Sequence, residues 1–89
     1  MGVDIAAKFV GDKNALRAKL KKYIYSEDEN YDEITLSFLN KWVWVYFYNE
    51  NEFLLLDINF AKDFTKEERA IFTGILSKLG FQIDGRTNT

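Results

Sequence analysis

Along the chain the apolar positions follow two rhythms, an alternation and a helical recurrence, separated by charged or turn-forming residues. Val3, Ile5, Ala7 and Phe9 alternate with Asp4, Ala6, Lys8 and Val10, which predicts a first strand with one buried face. Gly11-Asp12 ends it, and Asp12 can cap a following helix by accepting a backbone N–H. Leu16, Leu20, Tyr23 and Ile24 then share one side, with Lys13, Arg17, Lys21 and Lys22 toward the other. That spacing predicts an amphipathic helix with a basic exterior. Ser26 to Glu33 holds Glu27, Asp28, Glu29, Asp32 and Glu33 and no aliphatic residue, so it reads as a solvated acidic loop. Ile34, Leu36 and Phe38 alternate with Glu33, Thr35 and Ser37 as a second strand, turned by Leu39-Asn40-Lys41.

The unbroken run Lys41-Trp42-Val43-Trp44-Val45-Tyr46-Phe47-Tyr48 is the strongest strand signal in the chain. A strand apolar on both sides needs neighbours on both edges, which places it in the middle of a sheet. Its two faces differ chemically: Val43, Val45 and Phe47 suit the side under helices, whereas Trp42, Trp44, Tyr46 and Tyr48 carry polar tips that want a partner or water. The Trp/Tyr row is therefore assigned outward.

Asn49-Glu50-Asn51-Glu52 is turn chemistry, followed by a strand from Phe53 to Phe60. Leu54, Leu56, Ile58 and Phe60 give it a wholly apolar face, and Phe53, Leu55, Asp57 and Asn59 a mixed one. Thr65-Lys66-Glu67-Glu68 matches a capping box, opening a second helix with a core stripe of Ile71, Phe72, Ile75, Leu76 and Leu79. Gly80 stands where a left-handed cap belongs, and Gly74 mid-helix is unfavourable unless close packing needs it. Phe81 and Ile83 suit a short last strand. The reading is one α+β domain over residues 1–84, a two-layer sandwich, with 85–89 as a frayed tail. Its order is β-α-β-β-β-α-(β): a mostly antiparallel sheet of four to five strands with two helices on one face. The order of strands in the sheet stays open.

Composition sharpens this picture. At 89 residues the core is small, and with 17% aromatic residues the rings must supply much of the buried area. The chain has no cysteine and no histidine, which removes disulfides, thiolate chemistry, zinc fingers and imidazole acid–base catalysis. No apolar run is long enough for a bilayer and no basic leader precedes an apolar stretch, so a cytoplasmic protein is expected, with no membrane partner. Met1-Gly2 suits myristoylation only with Ser or Thr at the sixth position, which holds Ala6. The net charge of −2 is unevenly spread: residues 1–25 hold six Lys/Arg against Asp4 and Asp12, and residues 26–63 hold nine acids against Lys41 and Lys62.

Three fates are open to the Trp/Tyr face. It can be covered by a loop or the tail, pair with its own copy in a homodimer, or be kept for a different partner. Catalysis is not expected, because nothing arranges the Ser, Thr, Tyr, Lys and carboxylate residues by a recognisable spacing, and no phosphate-binding glycine loop occurs. No cofactor is expected either. Asp28-x-Asn30-x-Asp32 copies the start of a calcium loop, but Glu33 stands where the sharp turn needs Gly, and Leu39 where a bidentate Glu is needed. Lys41 through Tyr48 superficially resembles the strand signature of RNA-recognition motifs, which implies single-strand binding on the aromatic face; the signature's glycines are missing and the chain is acidic. Lys13, Arg17, Lys21 and Lys22 would be the phosphate contacts of that rival reading.

The favoured expectation is a non-catalytic module that binds, and thereby inhibits, another protein such as a basic nucleic-acid-binding protein. Trp42, Trp44, Tyr46, Tyr48 and Phe53 would supply apolar contact, and Glu27, Asp28, Glu29, Asp32, Glu33, Glu50 and Glu52 would stand in for phosphates. In size and charge, though in no motif, the chain is similar to phage anti-CRISPR proteins and bacterial immunity proteins.

Overall fold

A computed structural model describes residues 3–28 and 32–88, with backbone alone for residue 28 and for residues 84–88. These residues form β1 (Val3–Phe9), α1 (Lys13–Leu20), β2 (Ile24–Asp28), β3 (Glu33–Phe38), β4 (Lys41–Asn49), β5 (Leu54–Phe60), α2 (Lys66–Lys78) and β6 (Gln82–Asn88). The strands make one open sheet in the order β2-β3-β4-β5-β1-β6, and every neighbouring pair is antiparallel. It follows that β1 and β2 run parallel from opposite sides of the sheet, as do β5 and β6 on either side of β1. Parallel strands cannot be joined by a hairpin, so each of these links is a crossover carrying a helix. The α+β sandwich expected from the pattern is present, with six strands.

Both helices lie on the side of the sheet that carries Ile5, Phe9, Ile34, Leu36, Val43, Val45, Phe47, Leu54, Leu56, Ile58 and Phe60, all buried. Leu16 and Leu20 enter this core from α1, and Phe72 and Leu76 from α2. Rings connect the layers. Phe72 stacks at a tilt on Phe38 at 4.8 Å and meets Tyr23 edge-on at 5.5 Å, while Phe60 meets Phe64 edge-on at 5.1 Å. Such pairs add about 0.5–1.5 kcal/mol each beyond the area they bury.

Four expectations need correction. The first helix stops at Leu20 rather than running to Ile24, because the chain turns at Lys21–Tyr23 and Ile24 joins β2 opposite Leu36. Ile24 and Tyr25 favour extended backbone, and the free edge of β3 offers them a ladder. Part of the expected acidic loop is therefore strand, with Glu27 opposite Ile34 and Asp28 opposite Glu33. At the other end, residues 85–88 are not a frayed tail: β6 reaches Asn88, which lies opposite Asp4 on β1. Without this pairing β1 would form the edge of the sheet. Lastly, Ile71 is not in the core stripe of α2 but is 54% exposed, one position off the line set by Phe72 and Leu76. Gly74 has open space around it, so close packing does not explain its place in the helix.

Two local features hold the central hairpin in register. Phe38 pairs with Lys41 across a two-residue turn in which Leu39 and Asn40 both have positive φ, 55° and 61°. That mirror-image turn matches the twist of the strands, and it suits Asn far better than Leu. Lys41 then reaches into the helix layer, where its Nζ donates to Glu68 Oε1 at 2.6 Å and to the Asp63 carbonyl at 2.9 Å. The same Glu68 oxygen accepts the Thr65 backbone N–H at 2.8 Å and closes the capping box of α2. The Lys41 hydrogen bond, and after it the Thr65 N–H, hold the Glu68 carboxyl below the usual carboxylate range.

Leu39 is 54% exposed, so Leu39→Asn loses little buried area and relieves the left-handed strain. Urea unfolding should show a gain of about 1 kcal/mol; unchanged or lower stability would mean that the turn does not strain Leu39. A second expectation concerns pH. Glu68 binds its proton more weakly when folded, so its contribution is complete above the unfolded value of 4.5 and is lost as pH falls through the lower folded value. Glu68→Gln should therefore be less stable than wild type at neutral pH and should lose less stability on acidification, read from urea midpoints across that range.

Candidate functional site

The pleat that buries Val43, Val45 and Phe47 turns Trp42, Trp44, Tyr46 and Tyr48 to the other side of the sheet, which no described residue outside the sheet layer covers. Trp42, Tyr46, Tyr48 and Leu55 are 37–57% exposed, and Trp44 is half-buried among its neighbours. The outward assignment of the aromatic row thus matches the structure.

Register fixes what stands beside each ring. Trp44 lies between Thr35 on β3 and Asn59 on β5, with Asp4 on β1 beyond Asn59. Tyr46 lies between Glu33 and Asp57, with Ala6 beyond Asp57. Trp42 faces Ser37, and Tyr48 faces Leu55. Cross-strand neighbours have Cβ atoms about 4.5–5.5 Å apart, so these rows are contiguous surface. A carboxylate therefore flanks Tyr46 on each side. Burial, then the negative charges of Glu33 and Asp57, push the Tyr46 hydroxyl above its ordinary 10.0, and it stays a neutral phenol at physiological pH.

Tyr25 extends the aromatic surface. The irregularity between Ile24 and Ser26 in the β2–β3 ladder lets it depart from the simple alternation, and its ring meets Trp42 edge-on at 4.5 Å. The helical spacing of the sequence puts this segment at a helix end; the β-branched and aromatic pair Ile24-Tyr25 is the signal for a strand. At the other end Lys8 sits over the Phe53 ring, 4.1 Å from its centroid. Beside the aromatic row, Asp4, Trp44, Tyr46, Asn59 and the loop Ala61–Asp63 line a shallow depression of about 700 Å³.

The acidic residues expected to act together are divided by the sheet. Glu27 and Asp32 turn to the helix layer, where Glu27 pairs with Arg17 at 2.8 Å and Asp32 with Lys13. They pair with two of the basic residues of α1 and are no part of the aromatic face. Glu33 does belong to it, beside Tyr46. Glu50 and Glu52 are exposed in the turn between β4 and β5, and Phe53 is half-buried there. The Asp28 side chain, Glu29 and Asn30 lie outside the described residues, so the fragment resembling a calcium loop cannot be placed. Among the described residues no helix is long and apolar enough to cross a membrane.

Comparison with protein-family models, curated proteins and solved structures gives no match for this chain.

The Tyr46 environment makes a spectroscopic prediction. Glu33→Gln removes one of the two flanking charges and should lower the Tyr46 ionisation toward 10.0 without reaching it, since burial, the largest cause, remains. Phenolate absorbance, differenced against Tyr46→Phe, isolates this tyrosine from the other four. An unshifted titration would show that Glu33 does not act on it.

Proposed function

We propose that the chain is a non-catalytic binding module that lays the aromatic face of its sheet against a basic surface of another protein. The observation that carries this reading is the composition of that face. A contiguous strip of Trp42, Trp44, Tyr46 and Tyr48 is interleaved with Asp4, Glu33 and Asp57, and Lys8 is the single outward-facing cation among the described side chains of β1 to β5. Rings of this kind provide most of the energy at protein interfaces, and flanking carboxylates select the charge of the partner.

The same composition weighs against the two rivals. A second copy of this face would bring like charges together across a twofold axis. Single-stranded nucleic acid would gain ring stacking but meet carboxylates where phosphates must lie. Of the basic residues that reading would use, Lys13 and Arg17 sit in the opposite layer and are paired with Asp32 and Glu27, while Lys21 and Lys22 are exposed in the turn after α1. The finer form of the proposal is an inhibitor of the anti-CRISPR or immunity type acting in the cytoplasm on a basic nucleic-acid-binding protein. Its support is the charge of the face and the size of the chain.

Trp44→Ala is the decisive variant. The chain should retain its fold by circular dichroism and lose affinity for a captured partner by a factor of about 30 or more, as expected for removal of a hot-spot ring. Added salt should weaken the wild-type complex, whereas oligothymidylate should leave tryptophan fluorescence unchanged. If Trp44→Ala unfolds the protein, Trp42→Ala and Tyr48→Ala, at more exposed positions, carry the same test. Full affinity in all three variants, or saturable binding of oligothymidylate, overturns the proposal.

A further inference from the structure

The depression beside Trp44 is built differently from the rest of the aromatic face. Along the row Asp4, Asn59, Trp44, the short Asn59 side chain lies between a carboxylate and an indole, and Tyr46 continues the ring wall in the next row. A short residue between larger ones makes a hollow whose wall is aromatic and whose rim is acidic. Among the described residues that line it, Asp4 and Asp63 stand against one exposed cation, Lys62. Asn59 Nδ2 donates to the Asp57 carbonyl at 3.3 Å, which fixes the amide and leaves its oxygen as an acceptor.

We infer that this hollow is the subsite for one arginine side chain of the partner protein, its guanidinium stacked on Trp44 and bonded by Asp4 and the Asn59 oxygen. The inference rests on the reading of the face as a protein-binding surface and names the group that the surface selects. The chemistry separates arginine from other occupants. A planar, delocalised cation can lie flat on an indole and still direct N–H donors sideways to a carboxylate and an amide oxygen. An ammonium is a compact point charge with stronger hydration, and it gains less from a flat wall. Anions are opposed by Asp4, Asp57 and Asp63. The chain already holds a cation over a ring on this side of the molecule, at Lys8 and Phe53.

The test is a titration of the isotope-labelled full chain with N-acetylarginine amide, followed by NMR. The charge-free isostere N-acetylcitrulline amide and N-acetyllysine amide serve as comparisons. The Trp44 indole N–H is assigned with Trp42→Phe, which leaves Trp44 as the chain's one tryptophan. Arginine amide should give saturable shifts at the Trp44 indole and the Asn59 side-chain amide, with lysine amide weaker and citrulline amide inert. Asp4→Asn, a near-isosteric exchange, should weaken arginine amide about fivefold while the rest of the spectrum is unchanged. Citrulline amide binding as well as arginine amide, or shifts that spare Trp44 and Asn59, overturns the inference. So does sedimentation showing a dimer that protects the Trp44 indole.

Failure here is distinct from failure of the wider proposal. If arginine amide does not bind but Trp44→Ala still abolishes partner binding, the arginine subsite is wrong and the docking face stands. If arginine amide binds at Trp44 but partner affinity is unaffected by Trp44→Ala, the hollow recognises the guanidinium and the docking face is wrong.

Discussion

One-sided burial of β4 is the constraint on which the rest of the structure depends. A strand places successive side chains on opposite faces, so covering Val43, Val45 and Phe47 necessarily turns Trp42, Trp44, Tyr46 and Tyr48 away from the cover. The cover consists of α1 and α2, each with one apolar stripe: Leu16 and Leu20 in the first, Phe72 and Leu76 in the second. Both helices arise as crossovers between parallel strands and both lie on the same side. No described helix remains for the opposite face, and the large aromatic area there is a consequence of the topology.

Charge follows the same division into layers. On the helix side, opposite charges meet: Lys13 with Asp32, Arg17 with Glu27, Lys41 with Glu68. The first two are half-exposed pairs worth at most about 1 kcal/mol each, yet they tie the edge strand β2 and its turn to α1. Lys41 does more, since it joins the start of β4 to the capping box of α2 through a shared Glu68 oxygen. On the open side, Asp4, Glu33 and Asp57 stand among aromatic rings, with Lys8 engaged at Phe53. That imbalance among the described side chains gives the open side a negative field, which is what the proposed docking to a basic surface draws on.

The edge strand shows how a small irregularity shapes this surface. The break in register between Ile24 and Ser26 lets Tyr25 meet Trp42 while Glu27 still reaches Arg17. A distorted, acidic edge also resists pairing with strands of other chains, which an exposed flat edge invites. One segment thus widens the aromatic face and protects the border of the sheet.

The alternation in β4 and β5, the capping box at Thr65 and a turn at Leu39-Asn40-Lys41 were all legible in the sequence, because each rests on interactions within a few residues; the pairing of Phe38 with Lys41 then narrows the turn to Leu39-Asn40. So was the division of β4 into a valine and phenylalanine row and a Trp/Tyr row, since it depends only on the pleat. The helical spacing of Leu20 and Ile24 misled, because an isoleucine at that point satisfies either a helix stripe or a strand, and the open edge of β3 decided between them. The last strand was hidden for a similar reason: Gly85 to Asn88 has no hydrophobic rhythm and is held by the ladder that β1 offers. Which acids share the aromatic face was also beyond local pattern. Asp4 reaches Trp44 across β5, and Glu27 lies on the far side of the sheet, only because β1 and β2 occupy distant places in a strand order that the chain's two crossovers set. Local periodicity determined the elements and their faces; long-range strand pairing decided which faces became one surface.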